Sequence, residues 1–333
     1  MKLLVTGGMG FIGSNFIRHS IDNHQYESII NIDSLSYGSN PANLKDLEKN
    51  DKYTFIKGNI SDSSLVNDYA KEVNAIVNFA AESHVDRSIA NPEPFIQSNV
   101  IGTYMLLEAA RVNDVDLFLQ VSTDEIYGEA ESNRSFNETD LLRPSNPYSA
   151  TKASSDHLVS AYYKTYGLRC IITRCTNNFG PYQFPEKLIP KSIIRALKGL
   201  KVPIYGDGSQ IRSWIYVLDH VEALNLVLRN GKAGEIYNLT TWNEMTNREI
   251  VTKVLSIMRK SPDMIQNVED RPGHDTRYSV DSSKIQEQLG WKARYQFEQA
   301  LQETVNWYVK NQPWWEPLAD ERTLHPTPWK LKW

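Results

Sequence analysis

The sequence predicts an α/β fold in which helices cover both faces of a doubly wound parallel sheet. Short apolar runs alternate with helix-like segments through the first half of the chain, as in repeated strand–helix–strand units. The chain has 333 residues, of which 41% are hydrophobic, which suits a globular protein with two parts. We therefore expect the sheet in residues 1–176, with a return of the chain at 213–243, and a smaller α/β part in 177–333.

Strands are predicted where apolar runs stop at turn or polar residues, namely Lys2–Thr6, Ile29–Asp33, Tyr53–Lys57, Ala75–Asn78 and Leu117–Ser122. Apolar spacing predicts helices at Phe11–His19, Thr103–Asn113, Asn247–Lys260 and Phe297–Lys310. Sheets of this kind bind ligands beyond the carboxyl ends of their strands. After Arg174 the chain changes in character, with several prolines and a turn-rich segment, Tyr205–Gln210. The tail from Trp314, rich in Trp and Pro, is predicted to pack on the body as a strap.

The charge balance gives no general reason to expect nucleic acid or a membrane as partner, since the net charge is -4 and the pI is near 6.0. The two cysteines, Cys170 and Cys175, have neither metal-ligand spacing nor a disulfide framework, and we expect buried thiols in a reducing compartment. The first residues lack a signal-peptide layout and no apolar run is long enough to cross a bilayer. The sequence thus predicts a cytoplasmic protein without a metal.

A glycine-rich turn, "VTGGMGFIG", follows the first predicted strand and enters a helix. Gly7, Gly10 and Gly13 would allow a tight turn and a close approach of the backbone to a pyrophosphate at the helix N-terminus. Asp33 ends the second strand, where a carboxylate can accept hydrogen bonds from a ribose and repel a 2′-phosphate. A glycine turn beside a solvated Asp is the plainer alternative. In this context the pattern favours a Rossmann-type domain with NAD rather than NADP, and the GxxGxxG spacing resembles that of extended short-chain dehydrogenases/reductases.

That superfamily carries a YxxxK pair, which is present here as Tyr148 and Lys152. Residues four apart on a helix share one face. A lysine beside a phenol lowers the pKa of the phenol and can hold the nicotinamide ribose, so Tyr148 could act as a base. Taken alone, the pattern is as compatible with a surface Tyr and Lys.

Two adjacent carboxylates, Asp124 and Glu125, follow the buried run Leu117–Val121 and the hydroxyl of Thr123. They could form a solvated loop or a paired acid and base. The triplet "TDE" resembles the motif of the nucleotide-sugar 4,6-dehydratases, particularly those that act on dTDP-glucose. Further blocks are similar to that family along nearly the whole chain, at Asn78–Ile89, Arg174–Pro190, Tyr205–His220, Asp270–Tyr278 and Trp314–Trp315.

The resemblance implies a lyase that forms a 4-keto-6-deoxy sugar nucleotide on one bound cofactor. Tyr148, assisted by Thr123, would take the C4 hydroxyl proton while hydride passes to NAD. Glu125 would then remove the C5 proton and Asp124 would protonate the departing C6 hydroxyl. Two close carboxyls can share one proton, as these roles require.

The resemblance also implies the binding residues. Those for NAD are Gly7, Gly10, Phe11, Ile12, Gly13, Asp33, Asn59, Ile60, Ala80, Ala81, Ser98, Ser122, Tyr148, Lys152 and Asn177. Those for the sugar nucleotide are Ser83, Thr123, Asn178, Lys187, Leu188, Pro203, Tyr205, Arg212, Asn247, Arg271 and His274. Arg212 is the foremost candidate for the diphosphate, whereas His84 is expected to be structural. The resemblance further implies a homodimer, packed through the helix at Ser154–Gly167.

Of three departures from the family pattern, the first and third leave the nucleotide and sugar open, whereas the second concerns NAD, which an amide oxygen can still bind. Ser213 replaces the usual Asp, Asn59 stands where Asp commonly meets the adenine, and Thr240–Thr241 replace a Gly pair. UDP-glucose and UDP-N-acetylglucosamine therefore compete with dTDP-glucose as substrate. An NAD-dependent epimerase or decarboxylase is a rival, although such relatives usually lack the acidic pair. A non-catalytic NAD-binding protein is another, although it would commonly lack Tyr or Lys.

Overall fold

The computed structural model describes residues 1–333 and contains twelve strands and twelve α-helices. The strands are β1 (Lys2–Thr6), β2 (Ser28–Asp33), β3 (Tyr53–Lys57), β4 (Ala75–Asn78), β5 (Leu117–Thr123), β6 (Cys170–Cys175), β7 (Asn177–Phe179), β8 (Val202–Tyr205), β9 (Ile211–Tyr216), β10 (Ile236–Leu239), β11 (Glu244–Thr246) and β12 (Ile265–Val268). The helices are α1 (Phe11–Asp22), α2 (Ser63–Ala70), α3 (Val85–Ala90), α4 (Glu93–Phe95), α5 (Thr103–Val112), α6 (Pro147–Tyr166), α7 (Leu188–Leu197), α8 (Val217–Asn230), α9 (Asn247–Ile257), α10 (Ser283–Leu289), α11 (Phe297–Lys310) and α12 (Gln312–Trp315).

Seven strands form one parallel sheet in the order β10-β6-β5-β4-β1-β2-β3, which confirms the predicted doubly wound α/β fold. β2 and β3 lie on one side of β1, whereas β4, β5 and β6 lie on the other. The direction of winding therefore reverses at β1, and such a reversal opens a crevice beyond the carboxyl ends of the central strands.

The sheet buries a core on each face because neighbouring side chains of a strand point to opposite sides. In β1, Leu3 and Val5 join the larger cluster with α1, α8 and α11, whereas Leu4 joins a second cluster with α2, α5 and α6. All three side chains are fully buried. This two-sided burial explains why the strands read as continuous apolar runs.

A smaller part of the chain packs beside the sheet around a parallel pair, β8 and β12, which α7 and α9 cover. A three-stranded sheet, β11-β9-β7, lies next to it. The tail packs on the body as predicted, since Trp315, Leu324 and Trp329 are buried. No helix has both the length and the apolar character needed to span a membrane.

Three predicted helix ends differ from the structure. α1 continues past His19 to Asp22, because the buried Ile21 adds one more apolar position to its core face. α5 ends at Val112, one residue early. α9 stops at Ile257 rather than Lys260, because Arg259 adopts a left-handed conformation with φ of 55° that no helix can continue through.

Candidate active site

A cavity of about 420 Å³ lies at the carboxyl ends of β1, β2, β4 and β5. Every residue that the sequence assigned to the cofactor lines it: Gly7, Gly10, Phe11, Ile12, Gly13, Asp33, Asn59, Ile60, Ala80, Ala81, Ser98, Ser122, Tyr148, Lys152 and Asn177. Three side chains at the end of β5, those of Thr123, Asp124 and Glu125, line the same cavity. The topology thus brings the glycine turn and the acidic pair together.

The glycine turn brings three backbone segments into close contact. Gly7 has φ of 73°, and a Cβ there would lie 2.6 Å from the Ala80 nitrogen. A Cβ on Gly13 would lie 2.5 Å from the Gly7 oxygen. Gly10 caps α1 without a side-chain hydrogen bond, so the first-turn amides have no side-chain acceptor. Such an end is suited to an anionic group such as a pyrophosphate.

Asp33 is fixed at the end of β2 by three donors. Its carboxylate accepts hydrogen bonds from the Met9 and Leu35 amides at 2.9 and 2.8 Å and from the Ser39 hydroxyl at 2.9 Å. Burial raises the pKa of Asp33, and these three donors oppose the rise. Asn59 lies two residues beyond β3 rather than at its end, and its side-chain oxygen accepts from the Ser61 amide at 2.9 Å.

Ser122 Oγ and Asn177 Oδ1 are among the buried polar atoms of the cavity lining that have no hydrogen-bond partner in the protein. Unpartnered buried polar atoms are costly, and a bound polar ligand would satisfy them. Together with the uncapped helix end and Asp33, they fit a dinucleotide such as NAD.

The acidic pair is not a solvated loop, since Asp124 is buried and Glu125 is partly buried. β5 runs directly into a turn of 3-10 helix at Asp124–Tyr127. The Thr123 hydroxyl donates to Asp124 Oδ1 at 3.3 Å and accepts from the Glu125 amide at 3.2 Å. One oxygen of each carboxyl, Asp124 Oδ2 and Glu125 Oε2, has no partner. Both carboxyls therefore keep an oxygen free for a reacting molecule.

The surroundings give the two carboxyls different tendencies to hold a proton. Burial and the neighbouring Glu125 raise the pKa of Asp124 to about 8. Burial also raises the pKa of Glu125, but Arg271, Arg212 and Lys187 oppose that rise. Near neutral pH this favours a protonated Asp124 beside an ionised Glu125.

Tyr148 and Lys152 both lie in the first two turns of α6, which begins with a capping box between Asn146 and Ser149. The Lys152 ammonium donates to the Val121 carbonyl at 2.8 Å. Contrary to the sequence-based expectation, the pKa of Tyr148 lies well above its ordinary value, because burial and Glu125 raise it. Lys152 is not among the main causes of this shift; its ammonium is bonded to Val121, and burial lowers its own pKa.

The residues assigned to the sugar nucleotide fall into two groups. Ser83, Thr123, Asn178 and Lys187 line the cavity, whereas Leu188, Pro203, Tyr205, Arg212, Asn247, Arg271 and His274 do not. Asn178 already donates to the Thr176 carbonyl at 2.9 Å and contacts His220 Nδ1 at 2.9 Å. Its side-chain amide is thus engaged within the protein.

Arg212 lies behind the acidic pair and interacts electrostatically with both carboxyls. Its guanidinium donates to the Ile211 and Asp275 carbonyls at 2.7 and 2.9 Å and lies 4.1 Å from the centre of the Tyr278 ring. Ser213 and Thr240, two residues that depart from the family pattern, are in contact next to Arg212. Their hydroxyls are 2.7 Å apart and both residues are buried.

The sequence analysis did not assign Glu186 and Tyr37, which line the cavity, or Tyr278 under Arg212. Glu186 is buried with an oxygen 3.5 Å from His84 Nδ1. Glu186 and Tyr278 lie inside motif blocks that resemble the family, which was the available signal, whereas Tyr37 had none. The structure contains no group of three or more His, Cys, Asp or Glu that could hold a metal ion.

Comparison with known proteins adds to this geometry. The family model described as GDP-mannose 4,6 dehydratase matches residues 4–304. The chain is 50% identical to the low-salt glycan biosynthesis protein Agl12 of Haloferax volcanii, over 93% of this chain and 99% of that protein. It is 47% identical to a dTDP-glucose 4,6-dehydratase of Shigella flexneri, over 95% of each chain. The structure is similar to that of DesIV, a dTDP-glucose 4,6-dehydratase from Streptomyces venezuelae solved with NAD bound, with a TM-score of 0.93, 46% identity and coverage of 96% of this chain and 100% of that chain.

Proposed function

Because this chain belongs to the nucleotide-sugar 4,6-dehydratase family, we propose that it is a lyase that converts dTDP-glucose to dTDP-4-keto-6-deoxyglucose and water with bound NAD. One observation carries the proposal: an acidic pair, the buried Asp124 and the partly buried Glu125, shares a cavity with the glycine turn of a dinucleotide site. A simple dehydrogenase has no use for this pair, whereas the loss of water needs both an acid and a base.

The chain's own residues would hold the cofactor. The first-turn amides of α1 would bind the pyrophosphate, and Asp33 would accept hydrogen bonds from a ribose. When bound, NAD supplies the acceptor for the hydride of C4 and returns that hydride to C6, and its positive charge favours the phenolate of Tyr148. Lys152 would add a second positive charge on the side of the cavity where Tyr148 lies.

In the first step, Tyr148 would take the proton of the C4 hydroxyl as the C4 carbonyl forms. Thr123 is hydrogen-bonded to Tyr148 and opposes the rise in the pKa of Tyr148. The hydroxyl of Thr123 also donates to Asp124 at 3.3 Å, so it links the first base to the acid of the second step. This link matters because the proton taken from C4 must finally leave with the water.

In the second step, Glu125 would remove the C5 proton, which the C4 carbonyl has made acidic. Asp124 would protonate the C6 hydroxyl, so that the C6–O bond breaks and water departs. Glu125 would then return its proton to C5. Overall, one sugar nucleotide is converted to one 4-keto-6-deoxy sugar nucleotide and one water. A proton passes from Tyr148 to Asp124, which restores both residues.

A substrate panel tests the proposal. The purified protein is incubated with dTDP-glucose, UDP-glucose or UDP-N-acetylglucosamine, and the loss of one water is followed by mass spectrometry. We expect rapid dehydration of dTDP-glucose, and none in a Tyr148→Phe control that keeps the shape of the site. Faster dehydration of a UDP sugar would support the proposed reaction and change only the assigned substrate. If no substrate loses water, the protein is not a dehydratase and the proposal is refuted.

We further propose a homodimer that packs through α5 and α6. Tyr104 on α5 and Tyr163 and Tyr166 on α6 are large side chains with exposed fractions of 38–55%, and the resemblance to short-chain dehydrogenases/reductases points to α6. Light scattering during gel filtration should give twice the mass of the chain, and Tyr163→Glu should shift it toward the monomer. A wild-type monomer at micromolar concentration would contradict the proposal.

A further inference from the structure

Asp86 is a buried carboxylate of α3 to which the proposed chemistry gives no role. It is 2% exposed. Its Oδ2 accepts a hydrogen bond from the Tyr205 hydroxyl at 2.7 Å, and its Oδ1 accepts one from Arg271 Nη1 at 2.9 Å. A single carboxylate therefore holds two side chains at once, each through a different oxygen.

The two partners come from distant parts of the chain. Tyr205 ends β8 and Arg271 follows β12, at sequence separations of 119 and 185 residues from Asp86. The Arg271 guanidinium forms a side-chain hydrogen bond only with Asp86. Its Nε is buried and has no hydrogen-bond partner. Without Asp86, neither the guanidinium nor the Tyr205 hydroxyl would keep a fixed direction.

The charge of Asp86 suits this task. Burial disfavours the ionised form, but Arg271 and His84 outweigh it and place the pKa of Asp86 well below its ordinary value. The carboxylate is thus ionised throughout the neutral range. A charged acceptor forms stronger hydrogen bonds than a neutral amide oxygen in the same place.

We propose that Asp86 is a positioning residue for the sugar nucleotide, holding Arg271 and Tyr205 in the directions that bind it. The inference rests on the proposed function and on the family resemblance, which implies that both partners contact the sugar nucleotide. Asp86 touches neither the acidic pair nor the YxxxK pair in the hydrogen-bond pattern. Its removal should therefore weaken binding more than it slows the chemical steps.

The test is Asp86→Asn, which keeps the shape and removes the charge. Binding of dTDP is measured by calorimetry, and kcat and KM are measured with dTDP-glucose. We expect the Kd for dTDP and the KM to rise roughly 10- to 100-fold, the usual loss for a charged hydrogen-bonding partner. We expect kcat to fall by much less than KM rises and the bound NAD content to be unchanged, because Asp86 is hydrogen-bonded to neither the acidic pair nor the YxxxK pair.

Asp219→Asn on α8 is the matched control. Asp219 is 1% exposed and accepts from the Arg294 amide at 2.6 Å, but does not line the cavity. It should lower the unfolding temperature without raising KM. A similar rise in KM in both variants would mean that Asp86 acts only through stability, and would overturn the inference.

A double-mutant cycle shows whether Asp86 acts through Arg271. Arg271→Ala should itself raise the Kd for dTDP, and adding Asp86→Asn should then raise it by less than about twofold, because the residue through which Asp86 acts is gone. Fully additive effects would overturn the inference. Tyr205→Phe removes only the second hydrogen bond and covers the case in which Asp86→Asn does not fold; it should raise KM several-fold.

Measurements on the wild type distinguish a failure of the proposed function from a failure of the role given to Asp86. If it neither binds dTDP nor dehydrates dTDP-glucose, the proposed function fails. If it does both and Asp86→Asn binds dTDP equally well, only the role of Asp86 fails.

Discussion

The protonation of Asp124 predicts how dehydration depends on pH. Its pKa is raised from 3.8 to about 8. At pH 7 a carboxyl with that pKa is about 90% protonated, whereas one with the ordinary value would be protonated in fewer than about 0.1% of molecules. Burial beside Glu125 thus enriches the acid form roughly a thousandfold. The proton is held below the raised pKa and lost above it, so water loss should slow about tenfold per pH unit beyond about pH 8.

The assay is the single-turnover rate of water loss from dTDP-glucose, quenched and read by mass spectrometry between about pH 6 and 10. Asp124→Asn should be slower by about 10²- to 10⁴-fold and should lose the alkaline decline, because an amide has no proton to give. A wild-type rate that stays level through the raised pKa would refute this assignment. So would a decline that persists in the variant.

Three further predictions concern the same site. Glu125→Gln should slow elimination by about 10²- to 10⁴-fold while C4 oxidation continues, so that reduced nicotinamide accumulates and absorbs; full dehydration activity would contradict Glu125 as the base. Tyr148→Phe should give no reduced nicotinamide although dTDP still binds in calorimetry, and any absorbance rise would contradict it. Asp124→Asn should also raise the free energy of unfolding in urea by about 1–3 kcal/mol above pH 8. A raised native pKa means that the wild type loses stability between its unfolded value near 4 and about 8, so equal stabilities would contradict the burial argument.

The strands of the large sheet were predictable because nearby residues in the sequence mark where each strand begins and ends. β1, β3 and β4 have the bounds that their apolar runs indicate. The end of α9 was not predictable, because the apolar spacing continues to Met258 and nothing in the sequence marks Arg259 as left-handed. Local composition therefore specifies a buried run better than the point at which a helix unwinds.

The members of the candidate site were predictable wherever parallel topology alone brings them together. Gly7, Asp33 and Thr123 each follow or end a strand, and the carboxyl ends of parallel strands meet at one edge. The surroundings of Glu125 were not predictable in this way. Arg212 and Arg271 reach it from the far half of the chain, and no local spacing records such an approach.

The large sheet is completed by a strand that arrives late in the chain. β10, at Ile236–Leu239, pairs with β6 and covers its outer side. During synthesis, the first 176 residues would therefore present β6 as an open edge, with unpaired amides and carbonyls, until residue 239 has left the ribosome. Open edges of this kind attract other strands. A fragment cut at residue 176 would keep that open edge permanently, so the chain is better studied whole than divided there.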